Sequence, residues 1–180
     1  MKAKVIDGAI PHKCVLLAID PGAVSGSATF VRGELVSFSD GAGAALREAT
    51  ARSAAMQAYA QDLPLLVVME EWGGRFASWK TAIGIGAARG AWEQAIELAG
   101  VRPDHVVRMH VQTWRSRAGI GKRIDANAYK RAAQAIAKSI YRVNAGQNAA
   151  EAIVMGHVAL RSSEAEAMLK KLGRARNKAA

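Results

Sequence analysis

Short apolar runs broken by turn residues organise the first half of the chain. Residues 14–20, CVLLAID, are almost continuously apolar and end in an acid, the pattern of a strand buried on both faces. Residues 25–31 and 34–38 predict two further strands, joined at Arg32-Gly33 as a hairpin, and Asp40-Gly41 ends this meander. The next stretch, ALREATARSAAMQAYAQD at 44–61, is rich in Ala, Leu and Met and predicts a helix. Pro64 precedes LLVVME, a fourth buried strand, and the loop WGGRFAS follows it. Residues 79–99 predict a second helix, with Gly84, Gly86 and Gly90 inside it. HVVRM at 105–109 predicts a short fifth strand. Residues 111–124 read as an irregular basic loop, 125–142 as a basic helix capped by Asp125, and 147–161 as an apolar helix beginning near Asn148. The tail after Ser162 begins helical and ends basic and frayed.

Three meandering strands followed by alternating helices and strands predict an α/β fold, a mixed five-stranded sheet flanked by helices on both faces. Tight turns make the first three strands antiparallel neighbours, and helical crossovers make the rest parallel. No repeat or linker divides the chain. One domain is therefore expected over residues 13–162, after a leader at 1–12 and before a basic tail at 163–180. In such sheets reactive groups collect at the carboxyl ends of the central strands. Asp20 and Glu70 both stand at ends of that kind.

Composition narrows the class of partner. With 180 residues and 51% apolar content the chain can bury a core, so disorder is not expected. No apolar run approaches the length of a bilayer span, and MKAKVIDGAIPHK lacks the continuous apolar core of a secretion signal. The one cysteine, Cys14, allows neither an internal disulfide nor a Cys-rich zinc site. A cytoplasmic location is expected. The excess of 25 basic over 15 acidic residues gives a formal charge of +10, which attracts polyanions. Nucleic acid ranks ahead of an acidic lipid surface, because the cations cluster near a candidate catalytic site.

That site is carboxylic. Phosphodiester cleavage needs an activated water and a stabilised leaving oxygen, and two divalent cations can provide both. Hard cations such as Mg²⁺ or Mn²⁺ want carboxylate oxygens from several separate elements. Three sources qualify: Asp20 at the end of the first strand, Glu70 or Glu71 at the end of the fourth, and Glu151 early in the late helix NAAEAIVMGH. Each has a plainer reading. Asp20 could cap a turn with Pro21-Gly22, the Glu70-Glu71 pair could be a solvated strand end, and Glu151 could face the helix macrodipole. Their joint occurrence, in this order and on these elements, favours a shared metal site. His105, His110 and His157 are expected to be packing or flanking residues, since such sites prefer oxygen.

These motifs resemble those of the RuvC family of Holliday junction resolvases, within the RNase H-like superfamily. AIDPGAVSG is similar to that family's first motif, whose Asp binds metal. LLVVMEE resembles its second, an apolar strand ending in a catalytic Glu. IGAARGAWEQA resembles the helix that follows, and QNAAEAIVMGHVA the last motif, two acids three residues apart opening a helix. The resemblance runs from about residue 14 to 161. It implies an RNase H-like fold and a metal-dependent, structure-selective endonuclease that resolves four-way junctions by paired symmetric nicks. It also implies a homodimer, to which the Gly84–Gly90 helix contributes; the same glycines could equally serve close packing on the chain's own sheet. Catalytic and metal-binding roles would fall to Asp20, Glu70, Asn148 and Glu151 with two Mg²⁺ or Mn²⁺ ions. Glu71 stays open as the alternative to Glu70: the end of the apolar run favours Glu70, and counting back from the ARG helix favours Glu71. Asn148 stands where many relatives carry an acid. It is either native to a phage-type branch or a silencing substitution.

The basic residues supply the expected DNA surface. The segment RSRAGIGKR and the helix after it carry Arg115, Arg117, Lys122, Arg123, Lys130, Arg131, Lys138 and Arg142 against the single acid Asp125. In WGGRFASWK, Arg75, Phe76 and Lys80 are expected to face DNA, Phe76 by stacking on bases. Trp79 is expected to pack on the core. Two other readings stand beside junction resolution. One is an RNase H-like nuclease acting on RNA, hybrids or flaps; the other is a catalytically silent DNA-binding module, for which Asn148 is the motive.

Overall fold

The computed structural model describes residues 13–72, 78–121 and 125–179. The strands are β1 (Val15–Asp20), β2 (Ser25–Val31), β3 (Glu34–Gly41), β4 (Leu65–Glu71) and β5 (Val106–His110). The helices are α1 (Ala44–Ala60), α2 (Trp79–Leu98), α3 (Val111–Arg117), α4 (Ala126–Tyr141), α5 (Gln147–Ala159) and α6 (Ser163–Ala179). The five strands form one sheet in the order β3-β2-β1-β4-β5. The first three are antiparallel, and β1, β4 and β5 run parallel. This is the mixed α/β sheet expected from the order of elements.

Local chemistry explains the meander. Arg32 and Gly33 both have positive φ, 53° and 87°, as a two-residue hairpin turn with the right twist requires. β3 runs to Gly41, three residues beyond the apolar pattern, because its polar Ser37, Ser39 and Asp40 still pair with β2. Leu46 packs over Gly41 at the start of α1.

The two faces of the sheet carry separate cores. Leu16, Ala18, Leu66 and Val68 point to one face, under α5, with Trp114 of α3 and residues of α4 and α6. Leu17, Ile19, Val67 and Met69 point to the other, under α1 and α2. α5 is buried along nearly its whole length. It lies close on the sheet because Gly156 gives it a smooth face against Phe30 and Ala18. No helix among the described residues is long and apolar enough to cross a membrane.

Two segments differ from the sequence-based expectation. Residues 111–117 form a helix, where an irregular basic loop was expected. Val111 and Trp114, three residues apart, are both buried, and the imidazole Nδ1 of His110 accepts the amide hydrogen of Gln112 at 3.2 Å as an N-terminal cap. The tail is helical from Ser163 to Ala179, and Ala165, Met168 and Leu169 pack it against the α5 core.

Candidate active site

Sheet register brings the first two acids together. Asp20 pairs with Gly26, and Gly26 pairs with Asp40, so the three lie in one row. Ile19 pairs with Met69 across β1 and β4, so Glu70 follows on the same face as Asp20. Both residues therefore look toward α5. Glu71, one residue on, points to the opposite face, where it lies 3.8 Å from Arg89 of α2. The geometry separates the two: Glu70 lies on the face of Asp20 and Glu71 on the opposite one.

The third acid arrives on α5, and Gly26 sets how closely that helix can approach. A Cβ at position 26 would collide with the backbone carbonyl of Asn148. The Asp40 carboxylate, exposed at the end of β3, accepts the amide hydrogen of Ala149 at 2.8 Å. It caps a helix that lacks a capping side chain of its own. So β2 and β3 anchor the first turn of α5, and one turn later Glu151 lies buried on the Asp20 face, 4% exposed.

The acids repel one another. Asp20 is pushed well above the usual carboxylate range, first by desolvation and then by the charges of Glu70 and Glu151; Lys130 and Arg115 oppose the shift. Glu70, also 4% exposed, is raised to about 7. Burial is the main cause, with the charge of Glu151 adding to it. Hydrogen bonds from Trp114 and Trp72 and the charge of Arg115 oppose it. The Trp114 indole donates to Glu70 at 2.8 Å. Three acids from β1, β4 and α5 thus form a single electrostatic unit.

The cations are placed differently from the expectation. Arg115 is not a free phosphate-binding arm: its guanidinium bonds Glu151 at 2.7 Å and lies 4.4 Å and 5.2 Å from the ring centroids of Tyr129 and Trp114. Arg117 is held by Glu164 in two bonds of 2.8 Å and 3.0 Å. Lys130 reaches toward Asn148, 3.4 Å from its side-chain oxygen. Lys80 and Arg131 are exposed. Trp79, expected in the core, is 71% exposed. Arg75, Phe76, Lys122 and Arg123 lie outside the described residues. Among the described residues, three histidines have contacts of their own. His110 caps α3, His105 lies 3.8 Å from Asp104, and His157 packs against Tyr141, whose hydroxyl is 2.8 Å from its Nδ1.

Sequence reasoning missed two contributors. Trp114 sat inside a segment read as a basic loop; its signal was an apolar residue three positions after Val111, directly past a strand. Asp40 was read as a turn residue, because its strand becomes polar before it ends.

Among the described residues no three His, Cys, Asp or Glu side chains are grouped closely enough to chelate an ion as they lie, and Glu151 is engaged by Arg115 instead. The donor chemistry still suits a hard divalent cation, which would relieve the repulsion between the converging carboxylates.

Metal-free stability carries the signature of this repulsion. Between its ordinary value of 4.5 and about 7, folded Glu70 keeps a proton that the unfolded chain has released, so its contribution to stability falls as pH rises. His157, lowered by burial to about 4, acts in the opposite sense, so the native curve alone is not diagnostic. The difference between native and Glu70→Gln is. From pH 5 to pH 8 the variant should gain up to about 3 kcal/mol relative to the native chain in thermal unfolding with chelator present. A constant difference would mean that Glu70 is not raised.

No protein-family model and no curated protein matches the chain. Solved structures do. A Thermus thermophilus RuvC in complex with a Holliday junction substrate is 17% identical, with a TM-score of 0.59 over 85% of this chain and 96% of that one. A second Thermus thermophilus RuvC structure is also 17% identical, with a TM-score of 0.55 over 89% and 97%. The fold of this chain is the RNase H-like fold of RuvC.

Proposed function

We propose that this protein is a divalent-metal-dependent endonuclease that cuts four-way DNA junctions by paired symmetric nicks. One observation carries the reading: acids remote in sequence, Asp20, Glu70 and Glu151, are brought by sheet register and the close approach of α5 to one buried face at the carboxyl edge of the sheet. The shared fold with RuvC, solved with a Holliday junction substrate, supports the choice of substrate. Asp20 and Glu70 would hold Mg²⁺ or Mn²⁺, with Glu151 and the Asn148 carboxamide beside them. A bound cation would polarise the phosphodiester and its attacking water. Trp114 fixes the Glu70 carboxylate, and Asp40 and Gly26 fix the helix that carries Glu151.

Exposed Lys80, Arg131 and Lys138 would grip the phosphate backbone, joined by Arg75, Lys122 and Arg123, and Phe76 would stack on bases. Replacing Arg131 and Lys138 together by Ala should weaken binding to all DNA. It should also reduce the slope of log affinity against log salt by about 2. An unchanged slope would remove α4 from the interface.

A homodimer fits the two-fold symmetry of the substrate. The glycines of α2 support it, because a Cβ at Gly84, Gly86 or Gly90 would meet nothing within 4 Å. They are not needed for packing on the protein's own sheet. Trp79, Ile83, Gly86 and Gly90 share one open helix face, with Ile83 57% exposed. Light scattering should give a dimer for the native chain and a monomer for Ile83→Glu. A native monomer would contradict this.

The test of function is cleavage with Mn²⁺ on a four-way junction, duplex, flap and RNA–DNA hybrid. Paired nicks in the junction alone are expected. Cutting of hybrid or flap would favour another RNase H-like activity. Junction binding without cuts, even after Asn148→Asp, would indicate a silent module.

A further inference from the structure

We infer that Arg115 is the second cation of this site, and that the site accepts one divalent ion where the two-metal scheme has two. The inference rests on the nuclease reading above and refines its cofactor. The site contributes three carboxylates, Asp20, Glu70 and Glu151, and the uncharged carboxamide of Asn148. Arg115 neutralises Glu151 through its 2.7 Å contact. The charge left, on Asp20 and Glu70, balances a single divalent cation. Lys130, beside Asn148, lowers the demand for a second ion further.

Arg115 is built into this position rather than visiting it. Its side chain is 21% exposed and packs against the rings of Trp114 and Tyr129, from two different helices. Trp114 is itself completely buried and bonded to Glu70. Two consecutive residues of α3 therefore grip both glutamates of the site. An ion competing for Glu151 would have to break the ion pair and unstack the guanidinium from both rings.

The experiment counts Mn²⁺ ions bound per full-length chain, by electron paramagnetic resonance of the free ion, for the native protein and Arg115→Gln. One ion is expected for the native chain and two for the variant, in which Glu151 is released to act as a ligand. Two ions on the native chain would overturn the inference and leave the metal-dependent reading intact. A variant that still binds one ion would also overturn it. No ion bound by the native chain would instead overturn the metal-dependent nuclease reading on which the inference rests. The native count, repeated with a four-way junction bound and corrected for Mn²⁺ held by the DNA alone, decides between one ion and two even if Arg115→Gln fails to fold.

Discussion

Asp20→Asn should abolish junction cleavage, by about a thousandfold or more, and leave junction binding intact or tighter. Loss of a charged group at a reacting centre acts on this scale. Asn keeps the shape of Asp and removes the charge an ion would need. It also removes negative charge where a phosphate would lie, so affinity should not fall. Glu70→Gln should behave alike and keep the Trp114 hydrogen bond, because the amide oxygen still accepts it. Glu71→Gln is the internal control: its side chain lies on the other face, beside Arg89, and cleavage should persist. Gel-based cleavage and binding on one junction read all three variants. Loss of binding in Asp20→Asn, with cleavage per bound complex unchanged, would make Asp20 structural.

Gly26→Val should have the largest effect on folding. Any side chain at position 26 meets the Asn148 carbonyl, which is backbone and cannot rotate away. Either the first turn of α5 lifts from the sheet or β2 moves. Overpacking a close contact costs about 3 kcal/mol, which at this chain length lowers the unfolding midpoint by about 10 °C. The lift would also carry Glu151 away from Asp20, so surviving folded protein should cleave poorly. Even Ala should show part of this effect. A Gly26→Val protein with native stability and activity would mean that the approach of α5 is not what assembles the site.

The strands were legible in the sequence because their apolar runs are short, continuous and bounded by Arg32-Gly33, Asp40-Gly41 and Pro64. The acids at the ends of β1 and β4 were legible for the same reason. What a run of letters does not carry is register. Glu70 and Glu71 look equivalent until Met69 is known to pair with Ile19, which puts one beside Asp20 and the other beside Arg89. Asp40 was hidden likewise: it matters only because β3 continues in register with Gly26 and meets the amide of Ala149. Arg115 and Arg117 misled through composition. In a basic stretch they read as phosphate contacts, yet the short α3 helix turns Arg115 inward to Glu151, and α6 supplies Glu164 to Arg117. A cation's partner is set by tertiary packing, and local sequence counts only its charge.

Diffraction from crystals soaked in Mn²⁺, at the anomalous signal of the metal, tests the shared carboxylate site most directly. The expected result is a peak bonded to carboxylate oxygens of both Asp20 and Glu70, at about 2.1 Å. Crystals in which the ion sits elsewhere, or in which Asp20 and Glu70 turn away from each other with no density between them, would contradict it.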